Sequence, residues 1–278
     1  MFSLPSLNLP FWSKRKTTNR EVAPRHPTTG FFLFETKKTI YCPIPKNSST
    51  FFKTRLIEVN GDQELLLHSQ LPIHSFLRRT PKYWIHDLQR LSEPDYLSFA
   101  IIREPLERVV SAYLNKFVSA RRHHPIQVQA TQSFMDLIDD SIDPERSLTF
   151  RQFVRLICQQ QDHELDKHWR PQTCFLQGQV DSIGWLVPQN QLDRFYPVFE
   201  SHLGTEISKT RSGNRTLYKR QEAGVDVTRL SPRRLRNLGW HPEKDQFLVP
   251  ELRERLIVRY EEDLALFKRA CESFEAQF

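Results

Sequence analysis

Two short apolar runs, each followed by a helix-period pattern, organise the first half of this chain. The run Thr39-Ile40-Tyr41-Cys42-Pro43-Ile44 predicts a buried strand, after which Phe52, Leu56 and Val59 recur at helical spacing. Leu97-Ser98-Phe99-Ala100-Ile101-Ile102 predicts another strand, closed by Arg103-Glu104-Pro105. Pro105 suits a first helical turn, where its missing N–H costs nothing. From there Leu106, Val109, Val110, Tyr113, Leu114 and Phe117 form one apolar stripe of an amphipathic helix that ends at Arg121-Arg122-His123-His124-Pro125. Phe31–Phe34, Glu35–Lys38 and Thr39–Cys42 read as strand, turn, strand. Further on, Phe150, Phe153, Val154, Ile157 and Cys158 mark a helix, and Ser182–Val187 a core strand. Leu192, Phe195, Val198, Phe199 and Leu203 mark the helix that follows this strand. A last helix carries Leu252, Leu256, Tyr260, Leu264, Phe267 and Cys271 on one side. Strands alternating with helices predict an α/β fold with a doubly wound, mainly parallel sheet flanked by helices.

Between these elements the pattern is weaker. Residues 62–96 read as mixed helix and loop, with Leu65-Leu66-Leu67 and Tyr83-Trp84-Ile85 as buried anchors, and the polar stretch running to about residue 148 as room for an acceptor-shaping insertion. Residues 1–30 hold four prolines, a basic cluster and little periodicity, which predicts a poorly ordered lead-in before a single domain over 31–278.

The chemistry concentrates at the two strand-to-helix junctions. Pro45-Lys46-Asn47-Ser48-Ser49-Thr50 places a lysine and three hydroxyl side chains where a helix begins. Backbone N–H groups and the helix dipole favour an anion there. A Walker loop would read G-x-x-x-x-G-K-[ST]. Here both glycines are missing and Lys46 precedes the hydroxyls, so the segment is a P-loop-like relative and not a Walker motif. Lys46 also has a plain alternative as a surface lysine at a turn. Arg103, at the end of its strand, offers a guanidinium fork to a phosphate or, more simply, an ion pair to Glu107. Ser111 lies off the apolar stripe, on a polar flank with Arg108 and Asn115, on the order of 10 Å beyond the strand end by helix rise.

Composition narrows the choice of partner without fixing it. Forty Lys and Arg against 33 Asp and Glu give a net charge of +7, which suits an anionic ligand: a nucleotide, a sulfated sugar or a nucleic acid. A hydrophobic fraction of 38%, with 20 Phe and 5 Trp, is enough for a substantial core. The four cysteines, Cys42, Cys158, Cys174 and Cys271, form no C-x-x-C pair and no zinc spacing, which favours isolated reduced thiols and a cytoplasmic setting. No run reaches the roughly 20 apolar residues of a membrane span. The basic Ser13-Lys14-Arg15-Lys16 follows the apolar Met1–Trp12 instead of preceding it, the wrong order for a secretory signal.

The string Ile102-Arg103-Glu104-Pro105-Leu106-Glu107-Arg108-Val109-Val110-Ser111-Ala112-Tyr113-Leu114-Asn115-Lys116-Phe117 resembles the 3′-phosphate-binding motif of the carbohydrate sulfotransferases that use 3′-phosphoadenosine 5′-phosphosulfate (PAPS). Pro45–Thr50 is similar to that family's 5′-phosphosulfate loop, and the two motifs stand in the family's order. His168-Trp169-Arg170-Pro171-Gln172 and Tyr260-Glu261-Glu262-Asp263-Leu264-Ala265-Leu266-Phe267 add fainter similarity, so that the resemblance covers roughly residues 30 to 270. It implies PAPS as donor and a carbohydrate or glycan acceptor; a sulfuryl group carries less charge than a phosphoryl group and no Asp/Glu/His cluster shows metal spacing, so no metal is expected. The resemblance implies that Lys46 neutralises the leaving oxygen, and that Lys46, Asn47, Ser48, Ser49 and Thr50 hold the phosphosulfate. Arg103 and Ser111 would then hold the 3′-phosphate, and the basic loop with Arg211, Ser212 and Arg215 would either close over the nucleotide or, at least equally well, be a solvated charge run. The family carries a histidine between the two motifs as base, which points to His74, with His68 and His168 next among ten histidines. Animal relatives are Golgi proteins with an N-terminal anchor helix, and this chain, lacking one, looks like a soluble bacterial-type version. Two rival classes stand beside this. An ATP-using kinase would want a Walker loop and a Mg²⁺-binding Asp at a strand end. A polyanion- or nucleotide-binding module would rest on net charge alone, since the aromatic signatures of nucleic-acid binding are missing. The Arg233-Arg234-Leu235-Arg236 run fits a helix face better than a ligand site.

Overall fold

A computed structural model of the chain describes residues 30–120, 124–138, 147–208, 218–220 and 224–278. The predicted lead-in and the basic loop with Arg211, Ser212 and Arg215 lie outside the described residues. The central sheet has strands β1 (Phe32–Phe34), β2 (Thr39–Cys42), β3 (Leu97–Ile102) and β4 (Trp185–Pro188), in that spatial order. β1 pairs antiparallel with β2 through a short 3₁₀ turn, Glu35–Lys37, that ends on a left-handed Lys38. β2, β3 and β4 are parallel, with Tyr41 opposite Phe99 and Ala100 opposite Leu186. Every residue of β2 and β3 is buried, as expected for parallel strands covered on both faces.

The helices are α1 (Ser49–Val59), α2 (Gln63–Ser69), α3 (Ile73–Arg79), α4 (Pro105–Tyr113), α5 (Pro125–Leu137) and α6 (Phe150–Gln159). They continue with α7 (Thr173–Leu176), α8 (Leu192–Leu203), α9 (Pro232–Asn237), α10 (Pro250–Arg259) and α11 (Glu261–Glu275). Period-2 alternation assigns the sheet residues to two cores. On one face Tyr41, Phe99, Ile101 and Val187 pack against Phe52 and Leu56 of α1, Phe76 of α3, and Phe195 and Phe199 of α8. On the other, Ile40, Cys42, Ala100, Ile102 and Leu186 meet Leu266 and Ala270 of α11. A third, helical core joins α4, α5, α6 and α10 around Tyr113, Phe117, Phe153 and Trp169. The doubly wound α/β architecture is therefore the observed one.

Four local expectations need correction. The final apolar stripe belongs to two helices, because the chain bends at Tyr260 (φ −118°, ψ 29°). Its hydroxyl is drawn inward to donate to the Trp169 carbonyl. Leu65 and Leu67 are exposed, at 46% and 74%, while Tyr83, Trp84 and Ile85 are buried as expected. The stretch after residue 120 holds α5. The helix after Pro105 stops being α-helical at Tyr113 and continues as a π-turn over Leu114–Val118. Through that turn Phe117 stacks on Tyr113 at 5.3 Å between ring centres.

Candidate active site

The C-terminal ends of β2 and β3 are neighbours because the strands are parallel, so the two predicted junctions open at the same edge of the sheet. At the first, Lys46 (φ 73°) and Ser48 (φ 56°) both take left-handed backbone, the conformation that favours glycine. The loop thus achieves without glycine a turn of the kind for which a Walker loop uses glycine. Such alternating backbone gathers N–H groups into an anion-binding concavity. Ser48 is the N-cap of α1 but makes no side-chain cap to it. The first amides of α1, at Ser49, Thr50 and Phe51, therefore face the loop without an intrahelical acceptor. The Ser48 hydroxyl instead accepts from Gln189 Nε2 at 2.9 Å, just beyond β4.

At the second junction each residue of Arg103-Glu104-Pro105 has its own task. The Glu104 carboxylate accepts from the amides of Leu106 (3.2 Å) and Glu107 (2.6 Å), capping α4, and Pro105 opens it. Arg103 Nη1 donates to the Lys46 carbonyl at 3.0 Å, which ties the two motifs together. The simpler ion pair to Glu107 is also present, at 3.7 Å, although Glu107 is shared with Lys244.

Charge balance immediately around Lys46 is one-sided. Among the described residues no acceptor pairs with the half-buried Lys46 ammonium, and its charged neighbours are Arg103, Lys116 and Arg108. Burial, reinforced by those cations, pulls the Lys46 amine down to about 8. Burial likewise lowers Arg103. A pocket that holds cations partly desolvated and close together is preorganised for a multiply charged anion.

Asn47 departs from the expectation. Its side chain is fully buried and turned away from the loop, with Nδ2 donating to the Ile101 carbonyl (2.7 Å) and to Gln172 Oε1 (2.5 Å). Its amide is engaged by the Ile44 carbonyl at 3.2 Å, so Asn47 shapes the loop from behind. Arg108 departs more sharply. Expected on a polar flank, it is 0% exposed and donates to the carbonyls of Pro45 (3.1 Å), Arg170 (2.8 Å) and Lys167 (3.4 Å). Ser111 is half-buried, with no protein hydrogen bond to its hydroxyl among the described residues.

The two faint motifs turn out to be the brace behind this edge. Gln172 accepts from the Arg103 amide at 3.0 Å and donates to the Arg103 carbonyl at 2.9 Å, besides holding Asn47. Its own amide and that of Thr173 donate to the buried Asp263 carboxylate at 2.8 and 3.0 Å. The His168–Gln172 and Tyr260–Asp263 strings were the signals for these residues, but spacing alone assigned them no task.

His74 sits exposed at the start of α3. Partial desolvation and the nearby charges of Lys53, Lys167, Arg78 and His168 hold its imidazole below the usual histidine range, in the neutral form. His168 is half-buried, and its Nδ1 lies 2.5 Å from Asp166 Oδ1, an arrangement that orients the ring. Burial lowers His168 while Asp166 opposes the shift. His68 is exposed on α2, with Nδ1 2.7 Å from the Glu64 carbonyl oxygen. All four cysteines are free. Among the described residues no three His, Cys, Asp or Glu side chains converge as metal ligands, and no helix is long and apolar enough to cross a membrane.

Comparison with known proteins agrees with this geometry. Residues 29–268 match the family model described as "Sulfotransferase family". The chain is 34% identical over 88 residues to carbohydrate sulfotransferase 11 of Danio rerio, which covers 30% of this chain and 25% of that protein. It is 33% identical over 129 residues to carbohydrate sulfotransferase 10 of Danio rerio (42% of this chain, 32% of that protein). It is 30% identical over 109 residues to the Homo sapiens carbohydrate sulfotransferase 10 (34% and 28%). The matched segments thus span about a quarter to a third of these relatives' length. No solved structure matches. With the family match running from before β1 into α11 and including both strand-to-helix junctions, the chain belongs to the sulfotransferase family.

Proposed function

We propose that the protein transfers a sulfuryl group from PAPS to a carbohydrate hydroxyl. The observation that carries this reading is the contact between the two junctions: Arg103 donates to the Lys46 carbonyl at an edge where the Lys46 ammonium has only cations for charged neighbours. The relatives named above act, by their names, as carbohydrate sulfotransferases, which supports sulfuryl transfer to a sugar. PAPS, when bound, supplies an activated sulfuryl group with adenosine 3′,5′-bisphosphate as its leaving group.

The chain's own residues have separable roles. The uncapped first turn of α1 and the Ser49 and Thr50 hydroxyls bind the 5′-phosphosulfate oxygens, and Ser48 lines the same loop. Lys46 places its ammonium against the bridging oxygen, where negative charge grows during in-line displacement at sulfur. Arg103 and Ser111 hold the 3′-phosphate. Asn47 acts through the shape of the loop. His74 takes the proton of the attacking hydroxyl, for which a neutral imidazole near physiological pH is required. A second assignment of the base has an observation of its own: His168 has Asp166 to orient it.

Isothermal calorimetry with adenosine 3′,5′-bisphosphate and adenosine 5′-monophosphate tests the donor assignment. A strong preference for the bisphosphate is expected, and equal affinities would overturn it. Transfer of labelled sulfate from PAPS to a panel of glycans then tests the acceptor class.

A further inference from the structure

Lys53 is one helical turn beyond the phosphosulfate cradle and is not accounted for by any role above. It is only 8% exposed, unusual for a lysine, and sits on the buried face of α1 beside Phe52 and Leu56. Side chains on a helix lean toward its N-terminus, so a lysine at this position leans toward Ser49 and Thr50. Its charged neighbours are Arg78, from α3, and Lys167, from the loop before His168. His74 feels the same three cations.

Among the described residues no hydrogen bond or ion pair satisfies the Lys53 ammonium. The carboxylate closest to this group in the sequence, Asp166, is engaged by both the amide and the ring of His168 and lies near Lys167, but neither hydrogen-bonds nor ion-pairs with Lys53. Holding the ammonium of a mostly buried lysine near two further cations is costly unless an anion completes the group. The Lys46 group has Arg103, Lys116 and Arg108 as its charged neighbours, and Lys116 in turn feels Lys167, so the two groups of cations adjoin along the edge.

We propose that Lys53, Arg78 and Lys167 form a second oxyanion subsite, on the His74 side of the phosphosulfate cradle. This rests on the sulfotransferase reading for its place in the reaction, but not for its existence. The subsite takes a single sulfate- or carboxylate-type group. Two sources have that chemistry: the sulfuryl group of the donor as it leaves the nucleotide, or a charged substituent on the acceptor beside the reacting hydroxyl.

The test uses the full chain, titrated calorimetrically with sodium sulfate against sodium chloride at matched ionic strength, with and without saturating adenosine 3′,5′-bisphosphate. Wild type should bind sulfate in the presence of the nucleotide. Lys53→Met should weaken that binding at least tenfold, and the exposed Lys167→Ala about threefold, with nucleotide affinity within twofold of wild type. Failure of the nucleotide to bind would overturn the donor assignment, while the Lys53 dependence of sulfate binding would still decide the subsite. Steady-state kinetics separates the sources. A fall in kcat with unchanged acceptor KM assigns the donor's sulfuryl group; a rise in acceptor KM with kcat retained assigns the acceptor's substituent. Sulfate affinity unchanged in both variants overturns the proposal. A Lys53→Met protein that melts well below wild type, together with unaltered sulfate binding in Lys167→Ala, would assign Lys53 to the core instead.

Discussion

Replacing Arg108 with Met tests whether the loop is held from behind by a buried charge. The guanidinium is 0% exposed and makes two well-formed hydrogen bonds, to Pro45 (3.1 Å) and Arg170 (2.8 Å), and a longer one to Lys167 (3.4 Å). Hydrogen bonds to a charged group contribute about 1.5–3 kcal/mol each, so the two good ones total about 3–6 kcal/mol. Met keeps most of the volume and relieves the desolvation of the charge, which offsets part of that loss, so a net destabilisation of about 3 kcal/mol is expected. Asp263 extends the test. Its carboxylate is fully buried, and burial pushes it up while the Arg108 charge opposes that shift. Arg108→Met strands the carboxylate, whereas Asp263→Asn removes the charge and keeps one acceptor for the Gln172 and Thr173 amides. The double variant should therefore be more stable than the sum of the singles predicts by about 1 kcal/mol or more. Urea unfolding of the four proteins measures this, and the affinity for adenosine bisphosphate and monophosphate should fall together as the loop loosens. A loss below about 0.5 kcal/mol in Arg108→Met, or additivity within about 0.5 kcal/mol, would refute the reasoning.

Arg103→Ala should cost adenosine 3′,5′-bisphosphate about 1.5–3 kcal/mol of binding, roughly tenfold to a hundredfold, while barely changing the monophosphate; calorimetry reads both. Lys46, with its amine near 8 in the free protein, is largely neutral above that pH and must gain a proton when a phosphosulfate anion docks. Proton uptake on nucleotide binding, measured around pH 9 in buffers of different ionisation enthalpy, should vanish in Lys46→Met, whose turnover should fall further than its affinity. His74→Ala should lower sulfuryl transfer about 10²-fold with nucleotide binding retained. On the proposed assignment its neutral form is the base, and its pKa is shifted down, so wild-type activity should reach half its plateau below about 6.5. The same pH profile persisting in His74→Ala but lost in His168→Gln would move the role to His168.

Much of the fold was legible because local pattern and burial agree. β3 is the six-residue apolar run as read, and α8 spans the predicted stripe. The errors share a cause. Leu65 and Leu67 are apolar, but their helix has no fully buried residue, so hydrophobicity alone misplaced them. Arg108 occupies an off-stripe position that periodicity assigns to solvent, yet the loops at Pro45 and Lys167–Arg170 fold over that flank and give its guanidinium carbonyls to bond. Asn47 sits in the middle of a polar loop, but the loop's backbone turns its amide toward β3.

By itself the sequence determined the strand–helix alternation, the two junctions with Lys46 and Arg103, and the excess of positive charge, because these depend on residue type and short-range spacing. Only the tertiary structure decided that Arg103 meets the Lys46 loop, that Gln172 and Asp263 brace it from residues far along the chain, and that the cations around Lys46 and Lys53 adjoin through Lys116 and Lys167. The physical reason is that desolvation and hydrogen-bond satisfaction are properties of the assembled surroundings. A lysine has the same charge and propensity wherever it is written, and it becomes part of an anion site only when the packed chain removes its water and brings no carboxylate to replace it.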